Sequence, residues 1–223
     1  MDVSEALYAR TSVRAFLPDP VPESQVRGIL DAARWAPSGG NLQPWKVIAV
    51  AGEQRQAVVD LAGRVLAENP GGEAEDRPVY PPKLWEPYRT RRYALGEAMY
   101  ELLGITREDK EGRLTRFAAN FEFFGAPVGL FFALDGRMGV NQWAHLGMLM
   151  QSIALVATEH GLATCMQESW SVLHRSLARH FQLPEHEVIY CGMALGHADP
   201  DHPVNRLRST RAEVDEFAIF LGF

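Results

Sequence analysis

The sequence predicts one α+β domain, and three observations carry that expectation. Helix and strand patterns interleave without the regular β-α-β spacing of a doubly wound sheet. At 223 residues the chain is long enough for one sizeable core and short for two ordinary domains. No internal repeat or low-complexity stretch divides it, and 47% hydrophobic with 22% charged residues is the balance of an ordinary folded protein.

Residues 2–9 read as a short helix ending at Arg10-Thr11-Ser12-Val13-Arg14, and 16–22 as an extended, proline-punctuated link. Val26, Ile29, Leu30, Ala33 and Trp35 follow helical spacing over 23–36, and Pro37-Ser38-Gly39-Gly40 stops that helix. A strand is expected at 47–51, so Asn41-Leu42-Gln43-Pro44-Trp45 leads from a helix end into a sheet edge, a common location for ligand-binding residues. A helix follows over 54–66. The stretch 68–87 is rich in proline, glycine and charge and reads mostly as surface loop. Its aromatics Tyr80, Trp85 and Tyr88 either pin the loop to the body or make it a lid or an arm around a second subunit.

Further helices are expected over 89–103 and 106–124, and an apolar strand over 128–134. Residues 143–160 form a nearly uncharged helix that is apolar on most sides, the pattern of a helix buried in a core or a subunit interface. A loop or short strand at 161–166, a helix over 172–181 and a buried strand over 187–195 follow. The arginines Arg206, Arg208 and Arg211 then precede an amphipathic tail over 214–223.

Composition excludes several classes of function. A net charge of -6, with arginines in local groups, provides no general field for a nucleic-acid backbone. No apolar run reaches the roughly 18 residues of a membrane span, and the first residues lack the basic start and apolar centre of a signal peptide, so a cytoplasmic protein without membrane contact is expected. Cys165 and Cys191 stand in apolar surroundings without CxxC spacing and read as buried thiols. No HExxH or paired-histidine spacing points to a metal, and no GxSxG to a serine hydrolase. Neither GxGxxG nor GxxxxGK[ST] occurs, so a nicotinamide nucleotide would bind transiently rather than on a dedicated fold.

Arginine forks joined by hydroxyl groups are suited to an anionic phosphate. In an extended chain Arg10, Ser12 and Arg14 point to one face, with Thr11 between them. The same residues fit equally a solvated basic turn paired with acidic neighbours. Arg208 and Arg211, with Arg206 as alternate, either close the other side of that anion or form a surface cluster. Gly39-Gly40 permits close ligand approach, and Asn41 and Gln43 offer amides to a heteroaromatic edge; a helix C-cap with locally satisfied amides is the alternative. Gln167-Glu168-Ser169-Trp170 can present polar groups to a ligand or begin a helix capped by Ser169.

Order decides between these readings. Arg-x-Ser-x-Arg, then Ala-Pro-Ser-x-x-Asn-x-Gln-Pro-Trp, then Ala-Leu-Gly-His and finally Arg-x-x-Arg resembles the FMN-dependent nitroreductase family over nearly the whole chain. The resemblance implies a helix-flanked mixed sheet and an intertwined homodimer with two FMN sites at its interface. It places Arg10, Thr11, Ser12 and Arg14 at the flavin phosphate and ring edge, with Arg208 and Arg211 joining at the phosphate. Pro37, Ser38, Asn41 and Gln43 match the segment that reaches FMN, often from the partner subunit. Met166, Gln167, Glu168 and Ser169 match the loop beside the reactive flavin edge, with Met166 and Ser169 standing where one common family form has Pro and Gly.

The implied reaction passes a hydride from NADH or NADPH through bound FMN to a flat small-molecule acceptor, such as a nitroaromatic or quinone, in a ping-pong cycle. The flavin carries the redox chemistry, so no side chain is assigned as an obligatory acid or base. Arg14 is the candidate cation at the pyrimidine edge. The same fold can instead run oxygen-dependent dehydrogenation or reductive dehalogenation, or serve as a non-catalytic flavin-binding dimer. The expected organisation is one domain over 1–223 with a variable lid or arm over 68–124, where Tyr80, Trp85, Tyr88 or Phe124 would cover the flavin.

Overall fold

The run of large apolar residues from 128 to 134 has no polar face, so it has to be covered on both sides. In the computed structural model, which describes residues 1–73 and 78–223, it is β2 (Val128–Asp135), an inner strand of a four-stranded sheet. The other strands are β1 (Trp45–Ala51), β3 (Ala163–Gln167) and β4 (Glu187–Gly196), in the order β1-β2-β4-β3. These strands pair antiparallel; among the described residues a parallel element is added by an isolated bridge between Ser12 and Thr164 at the outer edge of β3.

Alternation along β2 divides the core in two. Leu130, Phe132 and Leu134 pack with α2 (Glu23–Ala33) and α6 (Val140–Glu159), while Phe131 and Ala133 face α3 (Gly52–Glu68) and α7 (His174–His180). A bulge opposite Phe132 and Ala133 shifts the register by one residue, so Cys191 packs in the first layer and Ile189 in the second. The helix expected over 143–160 is α6, with Leu146, Ile153 and Ala157 inaccessible to solvent.

The second layer is built around Trp170. Its ring stacks on Phe123 at 4.7 Å and meets Phe131 and Phe121 edge-on at 5.1 and 5.3 Å. Gly192 leaves the space for this indole, because a Cβ there would overlap the ring, and Gly129 does the same for Phe123.

The remaining helices are α1 (Val3–Ala9), α4 (Tyr88–Leu102), α5 (Lys110–Ala118) and α8 (Val214–Phe217). Asp2 and Glu5 form a capping box at the start of α1, each accepting from the other's backbone N–H at 2.8 Å. Two expectations change here. The helix expected over 106–124 is broken: α5 passes into a tight 3-10 segment, Ala119–Gly125, in which Phe123 and Phe124 both take φ of 54°. Left-handed backbone at two phenylalanines persists because the core seats both rings. The tail is helical only over α8, and Ala218 is already extended. Residues 74–77, part of the expected lid, lie outside the described residues.

Candidate active site

After α1 the chain turns extended at Arg10 and runs beside β3. Val13 N–H donates to the Thr164 carbonyl at 3.0 Å, Phe16 N–H to Phe124 at 3.2 Å and Leu17 N–H to His197 at 2.9 Å. Alternation then acts as the spacing required: Val13 and Ala15 are buried, while Arg10, Ser12 and Arg14 face a cavity of 230 Å³. Thr11, Leu207, Arg208 and Arg211 line the same cavity, so the two basic groups from opposite ends of the sequence meet.

Asn205 makes that meeting possible, and no pattern in the sequence marks it. Its Oδ1 accepts from Arg14 N–H at 2.9 Å, and its Nδ2 donates to the carbonyls of Ala15 and Asp199, each at 2.8 Å. One amide thus ties the N-terminal segment to the loop that carries Arg208.

A second cavity, of 570 Å³, shares Arg14, Leu95 and Leu207 with the first. Tyr80, Tyr100, Phe117 and Phe124 give it aromatic walls, and Met166, Gln167, Glu168 and Ser169 form one side. Gln167 is buried: its Nε2 donates to the Asn120 carbonyl at 2.7 Å and its Oε1 accepts from the Trp170 indole N–H at 3.4 Å. The side chain therefore braces the segment rather than reaching into the cavity. Ser169 does not cap the helix that begins there; its Oγ is buried without a hydrogen-bond partner among the described residues. Burial pushes the Glu168 carboxyl above its usual range.

The site is strongly cationic. No carboxylate among the described residues pairs with Arg10, Arg14, Arg116, Arg208 or Arg211. Burial, then the neighbouring Arg211, lowers the pKa of Arg10; burial, then Arg14, lowers that of Arg116. Arg116, in the last turn of α5, was missed from sequence because it belongs to no motif that marks it. It donates to the Arg14 carbonyl at 3.0 Å and lies 4.8 Å from the Phe124 ring centroid, and its buried Nε has no partner among the described residues.

The Pro37–Gln43 stretch is not brought to these cavities. Ser38 Oγ accepts from Gln43 N–H at 2.9 Å, Gln43 Nε2 donates to the Asn41 carbonyl at 3.3 Å, and Gly39 packs against His145 of α6. Gly40, Asn41 and Gln43 all have positive φ in an exposed loop. Of the aromatics expected over the flavin, Tyr80 and Phe124 line the 570 Å³ cavity, and Trp85 and Tyr88 do not.

The family model described as the nitroreductase family matches residues 7–197, and the chain belongs to that family. It is 37% identical to a 4-nitrobenzoate reductase of Pseudomonas putida over 222 residues, covering 100% of this chain and 96% of that protein. Its fold matches the FMN- and NADPH-dependent nitroreductase NfnB of a Sphingopyxis strain with a TM-score of 0.95, at 43% identity and covering 100% of both chains. The FMN-dependent nitroreductase NfnB of Mycobacterium smegmatis, solved with NADPH, matches with a TM-score of 0.90 at 29% identity, covering 99% of this chain and 100% of that one. No helix among the described residues is long and apolar enough to cross a membrane.

Proposed function

We propose that the protein is an FMN-dependent oxidoreductase that takes a hydride from NADH or NADPH and delivers it to a flat acceptor such as a nitroaromatic or quinone. One observation carries the reading: the cationic cavity adjoins the aromatic one at Arg14, Leu95 and Leu207, so an anion-tailed, flat-headed ligand has a place for each end. Arginines that pair with no carboxylate among the described residues at one end and an aromatic-walled cavity at the other fit this cofactor. When bound, the flavin supplies the hydride-accepting and hydride-donating chemistry.

The chain's residues do the rest. Arg10, Ser12, Arg208 and Arg211, with Thr11 beside them, would hold the phosphate through charge-assisted hydrogen bonds. Arg14, backed by Arg116, stands where the two cavities adjoin and would stabilise negative charge at the pyrimidine edge of a bound flavin. Phe124, Tyr100 and Phe117 exclude water, and the Met166–Ser169 segment, braced by Gln167, offers its backbone along the ring edge.

The second half of the reading is a homodimer of one-domain subunits acting in the cytoplasm. Pro37, Ser38, Asn41 and Gln43 would reach the partner's flavin, which accounts for a strained loop exposed beside Trp35 and Leu42. Support comes also from the tail, where Ile219, Phe220, Leu221 and Phe223 are exposed, and from β1, which is an edge strand.

The test is to purify the protein and measure its flavin. Yellow protein carrying one FMN per chain, bleached by NADH or NADPH without oxygen and recoloured by a nitroaromatic, is expected. Colourless protein that takes up no FMN would sink the reading.

A further inference from the structure

The aromatic cavity takes two of its walls from helices that the core does not hold. Tyr100 comes from α4 and Phe117 from α5, and neither helix has a fully buried side chain among the described residues. A helix that buries so little gains little from hydrophobic packing, so its place depends on particular side-chain contacts.

Arg113 supplies such contacts. Its Nη1 and Nη2 donate to the two carboxylate oxygens of Glu97 at 2.9 and 3.3 Å, and its Nε donates to the Thr106 carbonyl at 3.0 Å. Its guanidinium carbon lies over the Tyr100 ring, 4.1 Å from the centroid. One side chain thus joins α4, the connection 103–109 and α5. The pair is part-buried and two-pronged, unlike the exposed pairs Arg27–Glu23 and Arg34–Asp31. The hydrogen bond from Arg113 holds the Glu97 carboxyl below its usual range, so the pair stays ionised at neutral pH. Helical spacing relates this clasp to the cavity. Tyr100 follows Glu97 by three residues and Phe117 follows Arg113 by four, so on each helix the wall aromatic lies one turn from the paired residue. Arg113 and Glu97 themselves line neither the cationic nor the aromatic cavity.

We infer that Arg113 is a positioning residue for the acceptor: by pairing with Glu97 and seating Tyr100 it fixes the spacing of the Tyr100 and Phe117 walls, and so the size of aromatic acceptor that the cavity admits. The inference rests on the oxidoreductase reading and adds to it a determinant of selectivity that touches neither flavin nor acceptor. Loss of Arg113 releases a wall rather than a contact, so the slot widens.

Stopped-flow reoxidation of the FMN-loaded protein, first reduced with dithionite under anaerobic conditions, reads the acceptor step without a nicotinamide donor. Nitrobenzene and 1-nitronaphthalene are the probes, one ring against two. Arg113→Ala should move the ratio of their rate constants about tenfold toward the larger acceptor, at unchanged FMN content and through acceptor binding rather than the limiting rate. Arg113→Lys and Glu97→Gln, each of which keeps part of the clasp, should give smaller shifts in the same direction. Tyr100→Ala should reproduce the shift, and Arg113→Ala added to it should give nothing further. An unchanged ratio in FMN-loaded Arg113→Ala and Glu97→Gln, or additive shifts in the double variant, overturns the positioning role. Both acceptors slowed alike, with FMN and stability lost, also overturns it, because Arg113 is then a structural clamp without selectivity. Wild-type flavin reoxidised by neither acceptor overturns the oxidoreductase reading and the inference with it, whereas reoxidation with an unmoved ratio overturns the inference alone.

Discussion

Arg10 is the residue on which the phosphate assignment can be tested most directly. It lies in the cationic cavity beside Arg211, without a carboxylate partner among the described residues. Arg10→Ala should weaken FMN binding by about 10- to 100-fold, the range expected on losing a hydrogen bond between charged groups. Fluorescence titration of the apoprotein with FMN measures it, and an unchanged affinity would remove Arg10 from the phosphate site. Gly192 is a test of packing rather than chemistry. Gly192→Ala pushes a methyl group into the Trp170 ring and should cost about 1–3 kcal/mol in urea unfolding, with little change if the indole can move aside. The alternation that aims Arg10, Ser12 and Arg14 was legible from sequence, because an extended chain imposes it. The sequence left Gln167 either beside a ligand or at the start of a helix, and its partners Asn120 and Trp170 give it a bracing role.

At the scale of elements, the site depends on a seam between chain segments far apart in sequence. Asn205 bonds the backbone of Arg14 and Ala15 on one side and of Asp199 on the other. Asn205→Ala should destabilise the fold by about 1–3 kcal/mol, since it orphans part-buried backbone groups, and should loosen FMN as well. Loss of stability at unchanged FMN affinity would show that the seam holds the fold without shaping the site. The break in the helix expected over 106–124 belongs to the same scale. Helical spacing continues through Phe121 and Phe124, yet Phe123 enters the core under Gly129 and Phe124 turns toward the cavity. Only the close fit of sheet and indole imposes that turn, so local sequence carried no sign of it.

For the whole molecule, burial makes a pH prediction. Burial pushes the thiols of Cys165 and Cys191 above their usual range. In the unfolded chain they ionise near the ordinary thiol value of about 8.5, whereas the folded thiols stay protonated to higher pH. Their contribution to stability is therefore complete below that value and declines as pH rises above it. Neither thiol should react with an alkylating reagent at pH 8 until the protein is unfolded; rapid modification of the native protein would contradict the buried placement. Assembly is the other property at this scale. Sedimentation should give twice the chain mass of 24.9 kDa, and Leu42→Asp should shift it toward monomer with loss of FMN. A wild-type monomer that retains FMN would remove the partner's loop from the site.

By itself the sequence determined most of the order of helices and strands, the apolar strand over 128–134, the shared face of Arg10, Ser12 and Arg14, and, through motif order, the family. These follow from periodicity and local backbone geometry, which act over a few residues. The tertiary structure decided that Arg208 and Arg211 share a cavity with Arg10 and that Asn205 and Arg116 support Arg14. It also decided that Pro37–Gln43 stands apart from that cavity within one chain. Those outcomes depend on side chains brought together by packing across the sheet, and no periodicity in the chain records which distant segments will meet.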